Sequence, residues 1–379
     1  MKNHNTKQKI CKRCIMDYSD PEITFDEEGI CNHCKRYDEI LDSRVHIDNN
    51  EEKLNELIKN IKKSTRKGDY DCIIGVSGGV DSTYVAWLCK KKGLNPLAIH
   101  FDNGWNSELS VKNIENCLNI LEIDLVTYVI DWEYYKEIQK AFLMSSTPDG
   151  EIPTDHAINA LLFNEAKKRG LKYIINGMNF ATESMNVRRW SYGHSDWKYI
   201  KSTLKSFSSI KNFKKYPHFS LLNLILNIVW YRTKVVSILN YVEYNKDEAM
   251  EIIKSELNWI YYGGKHYESI YTRFYQGYFL PLKFNIDKRK GHFSDLIRCS
   301  QMNRDEALEL IKTDPYPSES LKNEDFEFVL KKLELSKTEF EKIISSKNRS
   351  FLEYPNNYKL ITFMKNCLNL LRKKNLYSK

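Results

Sequence analysis

A short polar turn holds the residues of this chain that are best suited to binding phosphate. Residues 77–82 read Ser-Gly-Gly-Val-Asp-Ser and directly follow a short apolar run. Gly78 and Gly79 let the backbone approach an anion closely, and the hydroxyls of Ser77 and Ser82 supply further hydrogen-bond donors. A helix that begins within the turn would direct its positive end toward the same place. The turn therefore predicts a pyrophosphate-binding loop.

Asp81 lies inside this turn, where a carboxylate would repel a polyphosphate unless a divalent cation lay between them. We therefore predict that Asp81 is a magnesium ligand in a nucleotide site. The alternative is a helix N-terminal anion that only stabilises the helix dipole. No lysine follows the glycines as in Gly-x-x-x-x-Gly-Lys-Ser/Thr, so a P-loop kinase or GTPase is disfavoured.

Four cysteines near the start of the chain have the spacing of a zinc site. Two Cys-x2-Cys pairs, each able to form a tight turn around a metal, are separated by sixteen residues that are rich in turn formers. The predicted zinc ligands are Cys11, Cys14, Cys31 and Cys34. Four thiolates leave no open coordination position, so we predict a structural zinc ribbon over residues 1–45, with His33 as a bystander.

The overall composition is that of an ordinary soluble protein. The chain has 379 residues, 42% of them hydrophobic, and a formal net charge of +8 that is spread over scattered lysines. It lacks a signal peptide and any apolar run of about eighteen residues, so we expect a cytoplasmic protein without a transmembrane segment. Without a secretory signal, nine cysteines do not indicate a disulfide framework. The apolar segment 219–231 is interpreted as a buried or partner-facing helix rather than a membrane segment.

Strand and helix patterns alternate through the first half of the chain, which predicts an α/β fold with a doubly wound parallel sheet. The strands are predicted at residues 71–76, 96–101, 125–130 and 172–175. We expect a nucleotide-binding α/β domain over residues 46–200. No parallel strand is expected beyond residue 200, and residues 201–379 are predicted to form a mainly helical region that contributes substrate and catalytic residues.

Ligands of such sheets bind at the carboxyl ends of the strands, so the loops that follow the strands should converge on the turn. Phe101 ends the second predicted strand and Asp102 begins the loop after it, while Asn176 and Gly177 follow the fourth. Glu183 lies a little further along and is a candidate ligand for magnesium or substrate. A carboxylate of this kind, taken alone, is more often a helix cap or a solvated group.

Three parts of the chain together resemble one family: the cysteine quartet, the glycine-serine turn and a distal block. The block reads Trp-Ile-Tyr-Tyr-Gly-Gly-Lys-His-Tyr-Glu-Ser at 259–269, Thr-Arg-Phe-Tyr-Gln at 272–276, and Lys-Phe-Asn-Ile-Asp-Lys-Arg-Lys-Gly-His-Phe-Ser at 283–294. The turn resembles that of the PP-loop ATP pyrophosphatases. Nearly the whole chain resembles the N-acetyl sugar amidotransferases of lipopolysaccharide O-antigen and nonulosonic-acid pathways. A departure is Ser300, where that family more often has glycine.

The resemblance implies ATP, Mg²⁺ and structural Zn²⁺ as cofactors. It also implies conversion of an acetamido group to an acetamidino group, with release of AMP and pyrophosphate. The ATP-binding residues would be Ser77, Gly78, Gly79, Asp81, Ser82, Phe101, Asp102, Asn176 and Gly177. The catalytic residues would be Asp81, Lys283, Lys288 and Arg289. Substrate contacts would come from Glu183, Lys265, Arg273 and His292, with His266 as a further proton shuttle. The alternative for the basic residues is a solvated face.

The source of ammonia is expected to be another protein. Residue 2 is Lys2, so no cysteine follows the initiator methionine, and no Gly-x-Cys-x-Gly elbow is present. The resemblance implies a glutaminase and a cyclase-like subunit, similar to those of imidazole glycerol phosphate synthase. The apolar segment 219–231 is a hypothetical docking surface for them.

Two other functions stay open. A PP-loop tRNA-thiolating enzyme would also join zinc-binding cysteines to this fold, and the positive charge favours it. Against it, no second Cys-x2-Cys pair lies in the catalytic half of the chain, and we expect no nucleic-acid partner. The other possibility is a non-catalytic zinc-ribbon interaction protein with a relic or regulatory nucleotide site.

Overall fold

The computed structural model describes residues 10–45, 50–65, 70–264, 267–364 and 366. In these ranges the chain forms a five-stranded sheet with helices on both faces. The strands are β1 (Cys72–Gly75), β2 (Pro96–Asp102), β3 (Leu125–Val129), β4 (Tyr173–Asn176) and β5 (Lys234–Ser237). The helices are α1 (Asn32–Arg44), α2 (Asn50–Ser64), α3 (Val80–Lys91), α4 (Glu108–Ile120), α5 (Trp132–Met144), α6 (Ile152–Arg169), α7 (Phe180–Glu183), α8 (Trp197–Phe207), α9 (Leu221–Val229), α10 (Lys246–Leu257), α11 (Ile270–Phe274), α12 (Leu280–Phe284), α13 (Arg289–Arg298), α14 (Arg304–Leu310), α15 (Glu319–Leu333) and α16 (Lys337–Ser345).

The strands of this sheet are all parallel, in the order β3-β2-β1-β4-β5. In the central strand, Ile74 pairs with Ala98 of β2 and with Ile175 of β4. Because successive side chains of a strand point to opposite faces, Ile73 packs into the core on one side of the sheet and Ile74 into the core on the other. The predicted α/β fold with a doubly wound parallel sheet is confirmed.

The fifth strand corrects one expectation, because a parallel strand does lie beyond residue 200. β5 pairs with β4, with Ile174 opposite Val235. The strand has four residues and lies at the sheet edge with Lys234 and Val235 exposed, so it lacks the longer apolar run by which a buried strand is recognised. The domain limits at residues 45 and 200 stay predictions, although the sheet continues past the second of them.

The N-terminal segment packs against helices from the other end of the chain. The amide of Ile15 donates a hydrogen bond to Ser294 Oγ at 3.3 Å. Lys290 Nζ forms an ion pair with Asp17 at 2.6 Å. Both partners belong to α13, so the cysteine-bearing segment supports the position of this helix.

Helix α9 is an apolar helix on the surface of the protein. It ends next to Trp230, whose side chain is among the most exposed large hydrophobic groups of the chain. This exposure excludes the fully buried alternative for segment 219–231, and the partner-facing alternative stays a prediction. Among the helices that the structure describes, none combines the length and the apolar content needed to cross a membrane.

Candidate nucleotide and substrate site

The predicted phosphate-binding turn lies at the carboxyl end of the central strand, between the end of β1 and the start of α3. Gly78 has a φ of +77°, and a Cβ at this position would lie 2.4 Å from the carbonyl oxygen of Ser110. Because that oxygen belongs to the backbone of α4, the turn has no room for a side chain here. Gly79 is the N-cap of α3, so the positive end of this helix faces the turn. The turn has the shape and the polarity of an anion-binding loop.

The two serines hold the turn through hydrogen bonds within it. The Ser77 amide donates to Ser82 Oγ at 3.3 Å, and Ser82 Oγ donates to the carbonyl oxygen of Gly79 at 3.2 Å. The Gly79 amide donates to Ser77 Oγ at 3.3 Å. These distances are longer than the usual 2.9 Å or so of strong hydrogen bonds, so the same donors can turn to a phosphate oxygen. The structure thus brings together the donors that were predicted to bind ATP.

Part of the distal block lies over the turn. The indole nitrogen of Trp259 donates to the carbonyl oxygen of Gly78 at 2.9 Å. The hydroxyl oxygen of Tyr262 lies beside Gly79, 3.4 Å from the position that a Cβ on this glycine would occupy. Burial and the nearby Glu268 carboxylate raise the pKa of Tyr262, so its hydroxyl keeps its proton at neutral pH. Sequence reasoning used these residues for the resemblance but did not assign them to the site.

Asp81 points from the first turn of α3 toward the strand ends. The hydroxyl of Tyr244 donates to its carboxylate. Burial and the Asp81 charge raise the pKa of Tyr244, which keeps the hydroxyl protonated and fixes the direction of this bond. Gly177, after β4, approaches so closely that a Cβ there would lie 3.1 Å from the Asp81 Cβ. Tyr244 is a site residue that sequence reasoning missed, because nothing near it in the chain marks it.

The other residues predicted at the strand ends differ in what they offer. The Phe101 side chain is buried beside Tyr128 and Tyr135, so a contact of this residue with a nucleotide would come from its backbone. Asp102 accepts a hydrogen bond from the Gly104 amide at 2.9 Å, as a turn-forming aspartate does. Asn176 accepts one from the Ser237 hydroxyl of β5 at 3.0 Å. Asp102 and Asn176 therefore brace the carboxyl edge of the sheet.

A cavity of about 300 Å³ opens beside Asp81, at the lower end of the size of small-molecule pockets. The predicted residues that line it together with Asp81 are Glu183, Arg273, Lys288, Arg289 and His292. Lining residues that sequence reasoning missed include Thr182, Lys246, Tyr267, Gln276 and Tyr316. The cavity joins the phosphate-binding turn to the distal block, so the two parts of the chain form one site.

The cationic side chains of the distal block are held by carboxylates around this cavity. The pairs are Lys288 with Glu151 at 2.8 Å, Arg289 with Asp287 at 2.8 Å, and Arg273 with Asp325 at 2.6 Å. Such pairing fixes the position of each cation and lowers the net positive charge that a substrate meets. Lys246 differs, because within the described part of the chain no ion pair involves its side chain. It is therefore available to an anionic group in the cavity.

Lys283 does not belong to this site, which corrects its predicted catalytic role. Its side chain is buried, and Nζ donates to the carbonyl oxygens of Ile343 at 2.6 Å and Ser346 at 3.0 Å. These carbonyls end α16, so Lys283 caps that helix. Burial lowers the pKa of Lys283. Lys265 and His266, which were predicted to contact substrate and to move protons, lie outside the described residues.

The cysteine quartet has the geometry of a tetrahedral metal centre. All four side chains are fully buried and their sulfur atoms lie within 4.8 Å of one another. In a zinc–thiolate tetrahedron with bonds of about 2.3 Å, sulfur atoms lie about 3.8 Å apart. The Sγ–Sγ distances are 4.0 Å for Cys11 and Cys34 and 3.7 Å for Cys14 and Cys31, so the site fits zinc. His33 instead bonds to an aspartate of the same segment, as expected for a bystander.

Two protein families match separate parts of the chain. Residues 268–367 match the family described as "LPS biosynthesis protein WbpG-like, C-terminal domain". Residues 51–153 match the NAD synthase family. The chain thus combines a PP-loop domain of the NAD synthase type with a WbpG-like C-terminal domain, which is consistent with the family and superfamily that its motifs resemble. The PP-loop family implies ATP and Mg²⁺ as ligands.

Solved structures show only distant likeness. A predicted subunit of tRNA methyltransferase from Methanocaldococcus jannaschii DSM has 13% identity and a TM-score of 0.28, over 48% of this chain and 72% of that one. The NH3-dependent NAD synthetase from Campylobacter jejuni subsp. jejuni NCTC 11168, in complex with the nitrate ion, has 15% identity and a TM-score of 0.28, over 55% of this chain and 93% of that one. Scores this low do not bear on function. No curated protein matches the chain.

Proposed function

We propose that this protein is an ATP-dependent, AMP-forming amidotransferase that converts an acetamido group of an N-acetyl sugar into an acetamidino group. The sugar would be nucleotide-linked or of the nonulosonic-acid type. The observation that supports this function is the shared cavity. Asp81 of the phosphate-binding turn lines the same space as Arg273 and Lys288 of the WbpG-like region. In this proposal a nucleotide site and a site for a small second substrate adjoin each other.

The chemistry explains why ATP is needed. An amide oxygen is a poor leaving group, so it first attacks the α-phosphorus of ATP, and the bond from this phosphorus to pyrophosphate breaks. Ammonia then adds to the activated carbon and loses one proton. AMP departs with the former amide oxygen, and the product leaves as an amidinium. Negative charge builds on pyrophosphate and then on AMP, so cations and N–H donors at the phosphates contribute most to the rate.

The residues of the site have complementary roles in this proposal. The backbone amides and serine hydroxyls of the turn would bind the departing pyrophosphate. Lys246 would meet an anionic group in the cavity, and the paired cations Lys288 and Arg273 would orient the sugar. Asp81 and Glu183 both line the cavity and would hold Mg²⁺, which neutralises phosphate charge when it is bound. Tyr244 keeps the Asp81 carboxylate directed toward the cavity.

Ammonia would come from a partner glutaminase with a cyclase-like subunit, in keeping with the absence of a glutaminase motif from the sequence. Free ammonia at high concentration should replace these subunits in a test with the isolated protein. This separates the central chemistry from the supply of nitrogen. A requirement for the partner then appears only when glutamine is the nitrogen source.

The decisive experiment follows the amide oxygen. N-acetyl sugars that carry heavy oxygen in the acetamido carbonyl are incubated with the protein, ATP, MgCl₂ and ammonium chloride. Mass spectrometry should find the label in the phosphate of AMP and an acetamidino group in the sugar. Formation of ADP, or label that remains in the sugar while AMP accumulates, would contradict the proposal. Asp81→Asn keeps an acceptor for Tyr244 but loses the charge, and it should lower AMP release about a hundredfold.

A further inference from the structure

Helix α9 and the beginning of β5 present a continuous stretch of exposed apolar side chains, here named the α9 face. It consists of Leu222, Ile225, Leu226, Ile228, Val229, Trp230 and Val235. Val229 and Trp230 are 69% and 77% exposed. Large apolar side chains scattered singly on a surface are normal, but seven within fourteen residues mark an interaction site.

The segment that contains the α9 face also accounts for the whole excess of basic over acidic residues in the chain. Residues 197–242 contain eight lysines and arginines and no aspartate or glutamate. The full chain has 58 basic and 50 acidic residues, so removing these eight leaves 50 of each. The net charge of +8 is therefore the charge of this one segment. An occupant of the α9 face must be apolar at its centre and anionic around it.

Cations lie around the C-terminal end of α9. Arg232 and Lys234 follow the helix and are exposed, and no ion pair involves either one within the described residues. Lys172 Nζ donates to the carbonyl oxygen of Tyr231 at 2.8 Å. Lys167 Nζ lies 4.8 Å from the centre of the Tyr231 ring. The apolar tip of the α9 face is thus bordered by four basic side chains.

The acidic residue nearest to Lys167 in the sequence is already paired. Glu165 of α6 pairs with Lys168 at 3.5 Å and with Arg169 at 3.1 Å. The border lies where β4 and β5 begin, because Lys172 directly precedes β4 and Arg232 lies just before β5. Asp81 lies at the opposite, carboxyl edge of the sheet. A partner that binds at this border would therefore not cover the opening of the cavity beside Asp81.

We propose that the α9 face binds reversibly to the surface of an anionic lipid bilayer. Aliphatic side chains and a tryptophan enter the interfacial layer, while lysine and arginine side chains contact anionic headgroups. A helix of nine residues is far too short to span a bilayer and would lie in the plane of the interface. RNA would use the cations but not the aliphatic side chains. Membrane docking is independent of the proposed amidotransferase chemistry.

Vesicle sedimentation tests this proposal. The purified full chain should sediment with phosphatidylcholine vesicles that contain phosphatidylglycerol but not with pure phosphatidylcholine vesicles. The combined variant Leu222→Ser, Val229→Ser, Trp230→Ser should lose this binding. Arg232→Gln with Lys234→Gln should weaken it about fivefold for each charge removed, and added salt should weaken it further.

Matched controls lie on the exposed surface of other helices. Leu109→Ser, Val111→Ser, Ile120→Ser removes three exposed aliphatic side chains from α4. Lys112→Gln with Lys342→Gln removes two exposed charges. Both controls should bind the vesicles like the unaltered protein, and thermal unfolding of all variants should show that they are folded.

Three outcomes would overturn the proposal. The first is vesicle binding that the α9-face variant retains in full. The second is a lack of vesicle binding together with self-association that this variant abolishes, which would make the face a contact between two copies of the chain. The third is a lack of vesicle binding together with tight, salt-sensitive RNA binding or with capture of the glutaminase subunits by the same face.

Discussion

The phosphate-binding turn and the cavity beside it are built in different ways. In the turn, consecutive residues determine the shape, because Gly78 has a left-handed backbone and has no space for a side chain. In the cavity, two of the cations depend on carboxylates that are remote in the chain. Lys288 pairs with Glu151, 137 residues away, and Arg273 with a carboxylate 52 residues away. The turn acts through its backbone, whereas the cavity acts through paired side chains.

This difference determines what each region tolerates. The turn should be sensitive to the addition of a single methyl group. The cavity should tolerate changes in side-chain size but not the loss of one member of an ion pair, since the remaining charge would be left without its partner. Substitutions chosen in matched pairs can test this contrast.

The largest effect is expected for Gly78→Ala. Its Cβ would lie 2.4 Å from the Ser110 carbonyl oxygen, so the turn must shift. A displacement of about 1 Å at a catalytic group can lower activity about a hundredfold, and we expect a loss of at least that size in AMP formation. Gly170→Ala is the control, because Gly170 also has a positive φ, of +69°, but has no atom within 4 Å of the added Cβ.

Gly170→Ala should lower the thermal unfolding midpoint through backbone strain and leave AMP formation nearly unchanged. Comparison of Gly78→Ala with Gly170→Ala therefore separates the effect of backbone strain from the effect of the close contact between the turn and α4. If both variants lost activity to the same extent, the close approach of the turn to α4 would have no special role in catalysis.

Tyr244→Phe should give the next largest effect. It removes the hydroxyl that donates to Asp81 and leaves the ring in place. A hydrogen bond to a charged group is worth about 1.5–3 kcal/mol, so we expect kcat for AMP formation to fall about tenfold. The Tyr84 ring lies beside that of Tyr244 at 5.7 Å, and no hydrogen bond of its hydroxyl is found among the described residues, so Tyr84→Phe is the control. Equal kcat values for the two variants would show that the Tyr244 hydroxyl has no role in the site.

The turn was predictable because its function depends on neighbours in the chain. Two glycines and two serines between an apolar strand and a helix define the loop, and the cysteine spacing defines the metal centre in the same way. The parallel sheet followed from the alternation of strands and helices. Edge strand β5 was missed because four half-exposed residues carry too little periodicity to be recognised.

The cavity was predictable only as a set of residue types. The distal block indicated that cations matter, but which of them faces the cavity depends on local backbone turns. Asn285 adopts a left-handed conformation, with a φ of 55°, and ends α12 just after Lys283. Lys283 is therefore directed to α16 while Lys288 reaches the cavity. Tyr244 lies 163 residues from Asp81 in the chain, a separation that no local pattern bridges.

Lys288→Met and Lys283→Met test this distinction between two lysines of one block. Lys288 is partly exposed, so loss of its contact should raise the KM for the sugar about fivefold rather than more. Lys283→Met leaves three carbonyl acceptors at the end of α16 without their donor, and it should lower the free energy of unfolding by about 1–3 kcal/mol. Steady-state kinetics and chemical denaturation measure the two effects.

The expected result is a crossed pattern, in which one variant changes KM with normal stability and the other changes stability with normal KM. An increase in KM for Lys283→Met at a temperature where that variant is fully folded would restore Lys283 to the catalytic site. It would also show that the carbonyl contacts at α16 are not its main role.

The smallest effect concerns the cysteine quartet, whose segment packs against helix α13 beside the cavity. The N-terminal segment contacts one side of this helix at Ser294 and Lys290, while His292 and Phe293 line the cavity. Chelation of the bound metal should loosen α13, because binding of a structural metal is coupled to local folding. We expect severalfold weaker sugar binding and unchanged ATP binding, both measured by isothermal titration.

Lys290→Met removes the ion pair with Asp17 but not the metal, and it should reproduce part of the loss. If chelation weakened ATP binding as strongly as sugar binding, the N-terminal segment would stabilise the whole protein rather than the cavity wall. The contrast between the turn and the cavity would then not extend to the segments that support them.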